Sequence, residues 1–150
     1  MIIVEECLEA GNLPEEIMNW KQDTLTLTWE ERCKSHGRRT TDDGQDFAIS
    51  LTSGYVLSSK DALSLTELEL VVTVVEADEP VVLVKPNSTR DWAWLAYQIG
   101  NRHQTLMITD TELICASVPG VLKLLEQLGV PFLEQNRPFQ PILKVAGHHH

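Results

Sequence analysis

The 150-residue sequence contains few cysteines and no pair of them at a disulfide or metal-binding spacing. The three that occur, Cys7, Cys33 and Cys115, are odd in number and far apart, with no Cys-x-x-Cys pair. This pattern excludes a disulfide framework and predicts a reduced, cytoplasmic location. No apolar run approaches the roughly 20 residues of a membrane span. The first residues lack the basic and apolar regions of a secretory signal, so we do not expect one.

Positive charge is also scarce. Lysine and arginine number 12 against 22 aspartates and glutamates, which gives a net charge of −10 and a pI of about 4.8. So acidic a chain is a poor candidate for binding nucleic acid or an anionic membrane. It could instead attract metal cations or a basic protein. With 43% hydrophobic and 23% charged residues, the chain should fold as one domain or two small ones.

Catalytic motifs are missing as well. The sequence has no Gly-x-Ser-x-Gly elbow, no phosphate-binding loop, no dinucleotide fingerprint and no His-Glu-x-x-His pair. Its carboxylates are numerous but follow no pattern. We therefore expect a protein that is not an enzyme.

Residues 1–76 carry the signals of a small all-β domain. Apolar and polar side chains alternate over residues 25–52, on both sides of an Asp43-Gly44 turn, which predicts a hairpin. Residues 55–57 and 68–75 predict two further strands, and no helix signal of useful length appears.

The second half, residues 77–143, predicts the order β-α-β-β-α-β. Ser88 is expected to cap the first helix and Gly100 to stop it, and Ser117 and Gly129 should bound the second. The strands are predicted at residues 81–84, 105–108, 112–115 and 130–133. This is the ferredoxin-like plan, in which both helices cover one face of a four-stranded antiparallel sheet. Residues 144–150 should form a flexible tail, so the predicted fold class is α+β.

Four of the five histidines lie in two places. His103 follows the first predicted helix, and His148, His149 and His150 end the chain. Neutral imidazole is a good ligand for nickel, copper and zinc. One fixed ligand and one mobile tail would suit a protein that binds a metal and then releases it. Two alternatives stay open, because a lone histidine near a helix end is usually structural and Gly-His-His-His can be the remnant of a purification tag.

Other candidate residues have a structural and a functional interpretation. Cys115 is either a small buried hydrophobe or a secondary metal ligand. Trp94 and Tyr97 point away from the predicted core face of their helix, which indicates an interface or partial covering by the tail. A basic cluster in the first half could form a charged sheet edge or dock an acidic partner; its members are Arg32, Lys34, Arg38 and Arg39.

Several segments, in their order and spacing, resemble the UreE family of urease accessory proteins over nearly the whole chain. The segment that carries most of the resemblance is Tyr97-Gln98-Ile99-Gly100-Asn101-Arg102-His103. The others are Glu31-Arg32-Cys33-Lys34-Ser35-His36-Gly37-Arg38-Arg39, Thr41-Asp42-Asp43-Gly44, Ala77-Asp78-Glu79, Gln127-Leu128-Gly129 and Pro138-Phe139.

The resemblance implies an N-terminal β domain that contacts protein partners and a ferredoxin-like metal-binding domain through which two chains form a homodimer. It implies that His103 of each chain holds Ni(II), with Zn(II) or Cu(II) as alternatives in vitro, and that His148, His149 and His150 complete the site. The partners would be the urease accessory GTPase and the urease apoprotein complex. A second peripheral metal site would need Cys115, because the extra histidines of some relatives are replaced here.

Two other functions remain compatible with the sequence. One is a general zinc or copper buffer that uses the same histidines. The other is a metal-free adaptor, in which the β domain binds a protein and the tail is a tag remnant.

Overall fold

The computed structural model describes residues 1–142, which divide into two compact units. Unit 1 runs from Met1 to Ala77 and unit 2 begins at Asp78. The chain is mostly sheet with few helices, so the predicted α+β class is confirmed. In this described part, no helix is long and apolar enough to cross a lipid bilayer. The predicted tail, residues 144–150, lies outside the described residues.

Unit 1 is built from short strands in two sheets. Its elements are β1 (Ile3–Val4), β2 (Leu8–Glu9), a 3-10 turn (Glu15–Ile17), β3 (Lys21–Leu27), α1 (Trp29–Arg32), β4 (His36–Thr40), β5 (Asp46–Ser50), β6 (Asp61–Leu65), a second 3-10 turn (Thr66–Leu68) and β7 (Leu70–Glu76). The sheets have the orders β1-β5-β4 and β2-β6-β7-β3. The β1–β5 and β3–β7 pairs are parallel and the others are antiparallel.

Residues 25–52 do not form the single hairpin that their alternation predicted. Leu25 and Leu27 belong to β3, which pairs with β7 and not with β5. The chain leaves β3 because Thr28 and Glu31 form a capping box that starts α1, with hydrogen bonds of 3.2 and 2.9 Å. The hairpin that does form is β4–β5, across a turn in which Gly44 has a φ of 99°. Residues 55–57, also predicted as a strand, form a loop.

The β4–β5 turn is tied to β3 by one carboxylate. Asp42 accepts hydrogen bonds from the hydroxyls of Thr24 and Thr26, at 2.6 and 2.7 Å. These bonds lower the pKa of the Asp42 carboxyl, because they stabilise its charged form. The two sheets of unit 1 are therefore linked by side chains as well as by their shared apolar core.

Unit 2 contains a four-stranded antiparallel sheet and two helices. Its described elements are β8 (Asp78–Val84), α2 (Thr89–Asn101), β9 (Met107–Ile108), β10 (Leu113–Ala116), α3 (Pro119–Leu128) and β11 (Leu133–Pro138). The sheet order is β11-β8-β10-β9. The helices bury Leu95, Ile99, Val121, Leu124 and Leu125 against β8 and β10.

Local sequence signals predicted the start of α2 correctly but not the starts of α3 and β11. Ser88 caps α2 as predicted, accepting a hydrogen bond of 3.1 Å from the Asp91 amide. Ser117 does not cap α3: Val118 is the N-cap residue, while the Ser117 hydroxyl donates to Glu134 at 3.0 Å. The final strand begins at Leu133 and not at residue 130, because β11 is a polar strand placed by its pairing with β8.

Candidate metal centre

His103 is positioned by the end of α2. The Ser88 cap and the buried Leu95 and Ile99 fix the start and the inner face of this helix. Gly100 was predicted to stop the helix, but α2 continues through Asn101. The reversal of the chain occurs at His103, which has a φ of 57°. His103 therefore lies where a helix usually ends in a left-handed glycine.

The hydrogen bonds at this end form a Schellman motif. The His103 amide donates to the Gly100 carbonyl at 2.9 Å, and the Gln104 amide donates to the Ile99 carbonyl at 3.4 Å. Left-handed backbone disfavours any residue with a Cβ, by roughly 1–2 kcal/mol. His103 is thus held in a strained conformation by a well-bonded helix end.

The second helix of unit 2 ends in the same way with a different residue. Gly129 has a φ of 68°, and its amide donates to the Glu126 carbonyl at 3.1 Å. The amide of Val130 then donates to the Leu125 carbonyl at 3.0 Å. Two equivalent turns in one unit therefore use glycine in one case and histidine in the other. Local backbone chemistry favours glycine at both turns. Histidine enters the left-handed region more often than most residues with a Cβ, but it still costs more there than glycine.

His103 is exposed, so its ring nitrogens are accessible to a metal ion. Across residues 1–142, no three histidine, cysteine or carboxylate side chains come together as a metal-binding group. A metal site built on His103 would therefore need ligands from a second chain or from the residues after Ile142. His148, His149 and His150 lie outside the described residues.

The last described residues return to the neighbourhood of the His103 turn. After β11, Phe139 and Pro141 are buried, and Phe139 is only 2% exposed. The Ile142 amide then donates to the carbonyl of Leu106 at 2.8 Å. Leu106 follows His103 by three residues in the sequence. No sequence pattern predicts this contact, because Phe139 and Ile142 lie in a segment without periodicity.

Cys115 belongs to the core of unit 2. Its side chain is 2% exposed and packs in the same apolar cluster as Val82, Leu95 and Leu124. Burial raises the pKa of the thiol to about 12, so the metal-binding thiolate form is strongly disfavoured. The structure thus favours the buried-hydrophobe interpretation over the secondary metal ligand.

Arg32 does not belong to an exposed basic surface. Its side chain is completely buried, with one guanidinium nitrogen 4.0 Å from a Glu76 carboxylate oxygen. The guanidinium carbon also lies 5.4 Å from the centre of the Trp29 ring. The prediction that Arg32 docks a partner is therefore wrong. The capping box at Thr28 turned this part of the chain into a helix, which carries Arg32 inward.

The other three basic residues remain accessible. Lys34 and Arg38 are exposed, and Arg39 is half-buried. Arg39 donates to the carbonyls of Arg38 and Lys34, at 2.6 and 2.9 Å, and burial lowers the pKa of its guanidinium. Arg38 and Arg39 also line a cavity of about 340 Å³ beside β4, which is an edge strand.

Two aromatic side chains of α2 face solvent in unit 2. Trp94 is 43% exposed and Tyr97 is 64% exposed. They are three residues apart, so they share one face of the helix. This agrees with the predicted exposed aromatic face, which extends toward the helix end that carries His103.

Comparisons with known proteins cover both units. The model for the UreE urease accessory protein N-terminal domain matches residues 4–76, and the corresponding C-terminal domain model matches residues 79–150. A relative named urease accessory protein UreE from Nostoc is 35% identical over 127 residues, which cover 85% of this chain and 86% of the relative. One from Lysinibacillus sphaericus is 31% identical over 142 residues, covering 93% and 95%. One from Burkholderia vietnamiensis is 38% identical over 118 residues, but the match spans only 58% of that relative.

Proposed function

Because the chain belongs to the UreE family of urease accessory proteins, we propose that it is a nickel metallochaperone. It would bind Ni(II) between two chains and deliver the ion to the urease assembly complex. The chain would act as a carrier in urease maturation and perform no chemistry of its own. Its partners would be the urease accessory GTPase and the urease apoprotein, met in the cytoplasm.

The observation that carries this proposal is the conformation of His103. The backbone of His103 is left-handed and its side chain is exposed. The equivalent turn uses Gly129, and glycine has the lowest conformational free energy in the left-handed region. Strain retained at an exposed residue is typical of functional positions. A histidine there is explained if its imidazole has a task that glycine cannot perform.

A homodimer would supply the second ligand. A two-fold axis brings the same surface of each chain together, so one His103 can provide two imidazoles. The exposed Trp94 and Tyr97 on the same helix would supply apolar area to an interface through unit 2. The antiparallel sheet order β11-β8-β10-β9, with two helices between its strands in sequence, supports a ferredoxin-like metal-binding domain.

The tail histidines would complete the coordination. His148 is the sixth residue after Ile142, which gives it a reach of about 20 Å from the Ile142–Leu106 hydrogen bond. His148, His149 and His150 could therefore bind the ion held by His103, and they could also leave it. Reversible completion of the site suits a protein that must release its cargo.

We propose nickel, and not another metal, because of the family assignment. Imidazole ligands also suit zinc and copper, and intrinsic affinity favours copper. A general zinc or copper buffer therefore uses the same residues. The two functions differ in one measurable property, which is nickel-dependent activation of urease in cells.

Unit 1 would contact the protein partners. Lys34, Arg38 and Arg39 are accessible basic residues that lie within six positions of one another in the sequence. The unit around them is strongly acidic, with 15 carboxylate side chains and six basic ones in residues 1–77. A local basic edge on such a unit would orient an acidic partner surface. The proposed docking cluster is smaller than the predicted one, because the buried Arg32 is not part of it.

Calorimetric titration with nickel tests the proposal. The intact chain should bind one nickel tightly per two chains, His103→Ala should lose that site, and a chain ending at Gly147 should bind more weakly. His36→Ala is the matched control, because His36 is an exposed histidine of unit 1 outside the proposed site. If only the shortened chain loses nickel, the tail acts alone and the metal-free adaptor is the better interpretation.

A further inference from the structure

The two longer edge strands of unit 1 differ in the hydrogen-bonding groups of their free edges. β3 lies at one edge of its sheet and β4 at an edge of the other, whereas the remaining edge strands, β1 and β2, have two residues each. An edge strand carries backbone N–H and C=O groups that can pair with another chain. The existing hydrogen bonds of each strand determine which of these groups are available.

The free edge of β3 is closed by Asp42. The Lys21 amide and the Leu27 carbonyl bond to residues that flank β7, so the even-numbered residues of β3 direct their backbone groups away from β7. Among these, the Thr24 carbonyl accepts from the Asp42 amide at 2.8 Å, and the Thr26 amide donates to the Asp42 carboxylate at 3.3 Å. These contacts leave β3 little capacity to pair with another chain.

The free edge of β4 presents its amides to solvent. The Leu51 amide donates to the Ser35 carbonyl, and the Thr41 amide donates to the Gln45 carbonyl, both at 2.9 Å. The odd-numbered residues of β4 therefore face β5, because hydrogen-bonded positions alternate along an antiparallel ladder. The amides of the even-numbered residues point outward, and these residues are exposed: His36, Arg38 and Thr40.

Two outward carbonyls of this edge are covered by Arg39. Its guanidinium donates to the carbonyls of Arg38 and Lys34, at 2.6 and 2.9 Å. Gly37 leaves room for it, because a Cβ on Gly37 would lie 3.1 Å from Arg39 Nη1. Within residues 1–142, the buried Nε of Arg39 has no hydrogen-bond partner, so the guanidinium is incompletely satisfied in this position. A charged acceptor from another chain could therefore displace these contacts.

The charges beside β4 indicate the chemistry of a partner. Arg38 and Arg39 line the cavity of about 340 Å³ next to this edge, and two carboxylates line it as well. Both carboxylates already have partners, since Glu31 belongs to the capping box of α1 and Asp46 accepts a hydrogen bond of 2.7 Å from a threonine hydroxyl. Among the described residues, Arg38 has no carboxylate at ion-pair distance. The edge therefore offers N–H donors and positive charge.

We propose that β4 is a docking strand for an extended acidic segment of a partner protein. The segment adds to the free edge as a further strand and accepts hydrogen bonds from the outward amides. The guanidinium of Arg39 leaves the carbonyls of Arg38 and Lys34, which then accept from partner amides, and it pairs with a partner carboxylate. This inference rests on the proposed contact between unit 1 and the protein partners, and it specifies how that contact is made.

Two synthetic peptides test the docking strand. One alternates threonine with glutamate and the other threonine with glutamine, so the two differ in charge but share the β-branched residue that favours extended backbone. In fluorescence anisotropy at low salt, the glutamate peptide should bind at least tenfold more tightly, roughly, than the glutamine peptide. Arg39→Gln should reduce this ratio to about twofold, because it removes the guanidinium that pairs with the carboxylate. An unchanged ratio would overturn the role of Arg39.

The Thr40→Pro variant removes one outward amide, whereas Thr40→Ala keeps it and serves as the matched control. Both variants lose the hydroxyl that donates to Asp46, and proline is tolerated on an edge strand where its nitrogen faces away from the ladder. Thr40→Pro should bind the glutamate peptide about fivefold more weakly than Thr40→Ala. Equal affinities would overturn strand addition.

Hydrogen–deuterium exchange separates strand addition from a contact through charge alone. The glutamate peptide should slow exchange of the His36, Arg38 and Thr40 amides about tenfold, with little change at Gly37, whose amide faces β5. Binding without this protection would overturn the docking strand and leave unit 1 with an electrostatic contact. Failure of both peptides to bind would overturn it as well, while the nickel site is decided separately by the titration of His103→Ala.

Discussion

Replacing His103 by glycine should stabilise the metal-free protein and abolish its nickel site. A left-handed residue with a Cβ costs roughly 1–2 kcal/mol, while glycine loses an additional 0.5–1 kcal/mol of conformational entropy on folding, roughly. The net gain for His103→Gly is therefore about 0.7 kcal/mol. For a domain of this size, that gain should raise the Tm by about 3–5 °C.

The Gly129→His variant makes the reverse substitution at the equivalent helix end and serves as the control. Gly129 has nearly the same left-handed backbone and hydrogen-bond pattern as His103, and a Cβ added there would meet nothing within 4 Å. Its cost is thus conformational and not steric. We expect Gly129→His to lower the Tm by a similar amount, while nickel binding remains.

Differential scanning calorimetry with a chelator present measures both changes, since bound nickel would stabilise the intact chain by mass action. Calorimetric titration then shows which variants keep the metal site. An unchanged or lower Tm for His103→Gly would refute the reasoning, because it would mean that the imidazole stabilises the fold through its own contacts.

Three further outcomes follow from the buried and hydrogen-bonded groups. Arg32→Ala should lower the free energy of unfolding by about 3 kcal/mol in chemical denaturation, whereas Lys34→Ala should change it by less than about 0.5 kcal/mol. A thiol reagent should modify the exposed Cys33 in the folded protein and reach Cys115 only on unfolding; rapid modification of both would contradict the burial of Cys115. Asp42→Asn should destabilise the protein at neutral pH, and its difference from the intact chain should shrink as the pH falls below the ordinary value of 3.8, because the folded-state pKa of Asp42 is lowered. A difference that is constant with pH would show that the charge of Asp42 contributes nothing.

Local sequence signals predicted the features that depend on neighbouring residues. Ser88 begins α2 and Gly129 ends α3, because a capping hydroxyl and a left-handed glycine act within one helical turn. The prediction that Gly100 stops α2 was wrong because it relied on the same kind of local signal. Its glycine looks like a stop signal, but the reversal lies at His103, which intrinsic backbone preference does not favour.

Features that depend on distant residues could not be predicted in this way. The alternation of β3 shows that one face is buried, but it does not show that β7 is its partner. The strand β11 has almost no buried side chains, so only its register with β8 reveals it. His103 was found as a candidate from residue type and place, whereas the return of Ile142 to Leu106 needed the fold.

The parallel pairing of β3 with β7 also sets an order of events during protein synthesis. Lys21 pairs with Leu70 and Leu27 pairs with Glu76. The hydrogen bonds between β3 and β7 therefore cannot form until β7, the last strand of unit 1, has been synthesised. Until then, a nascent chain carries an unpaired strand with one apolar face, which is the kind of segment that associates wrongly. Premature termination within β7 would therefore yield a fragment without its second sheet, and not a slightly shortened unit.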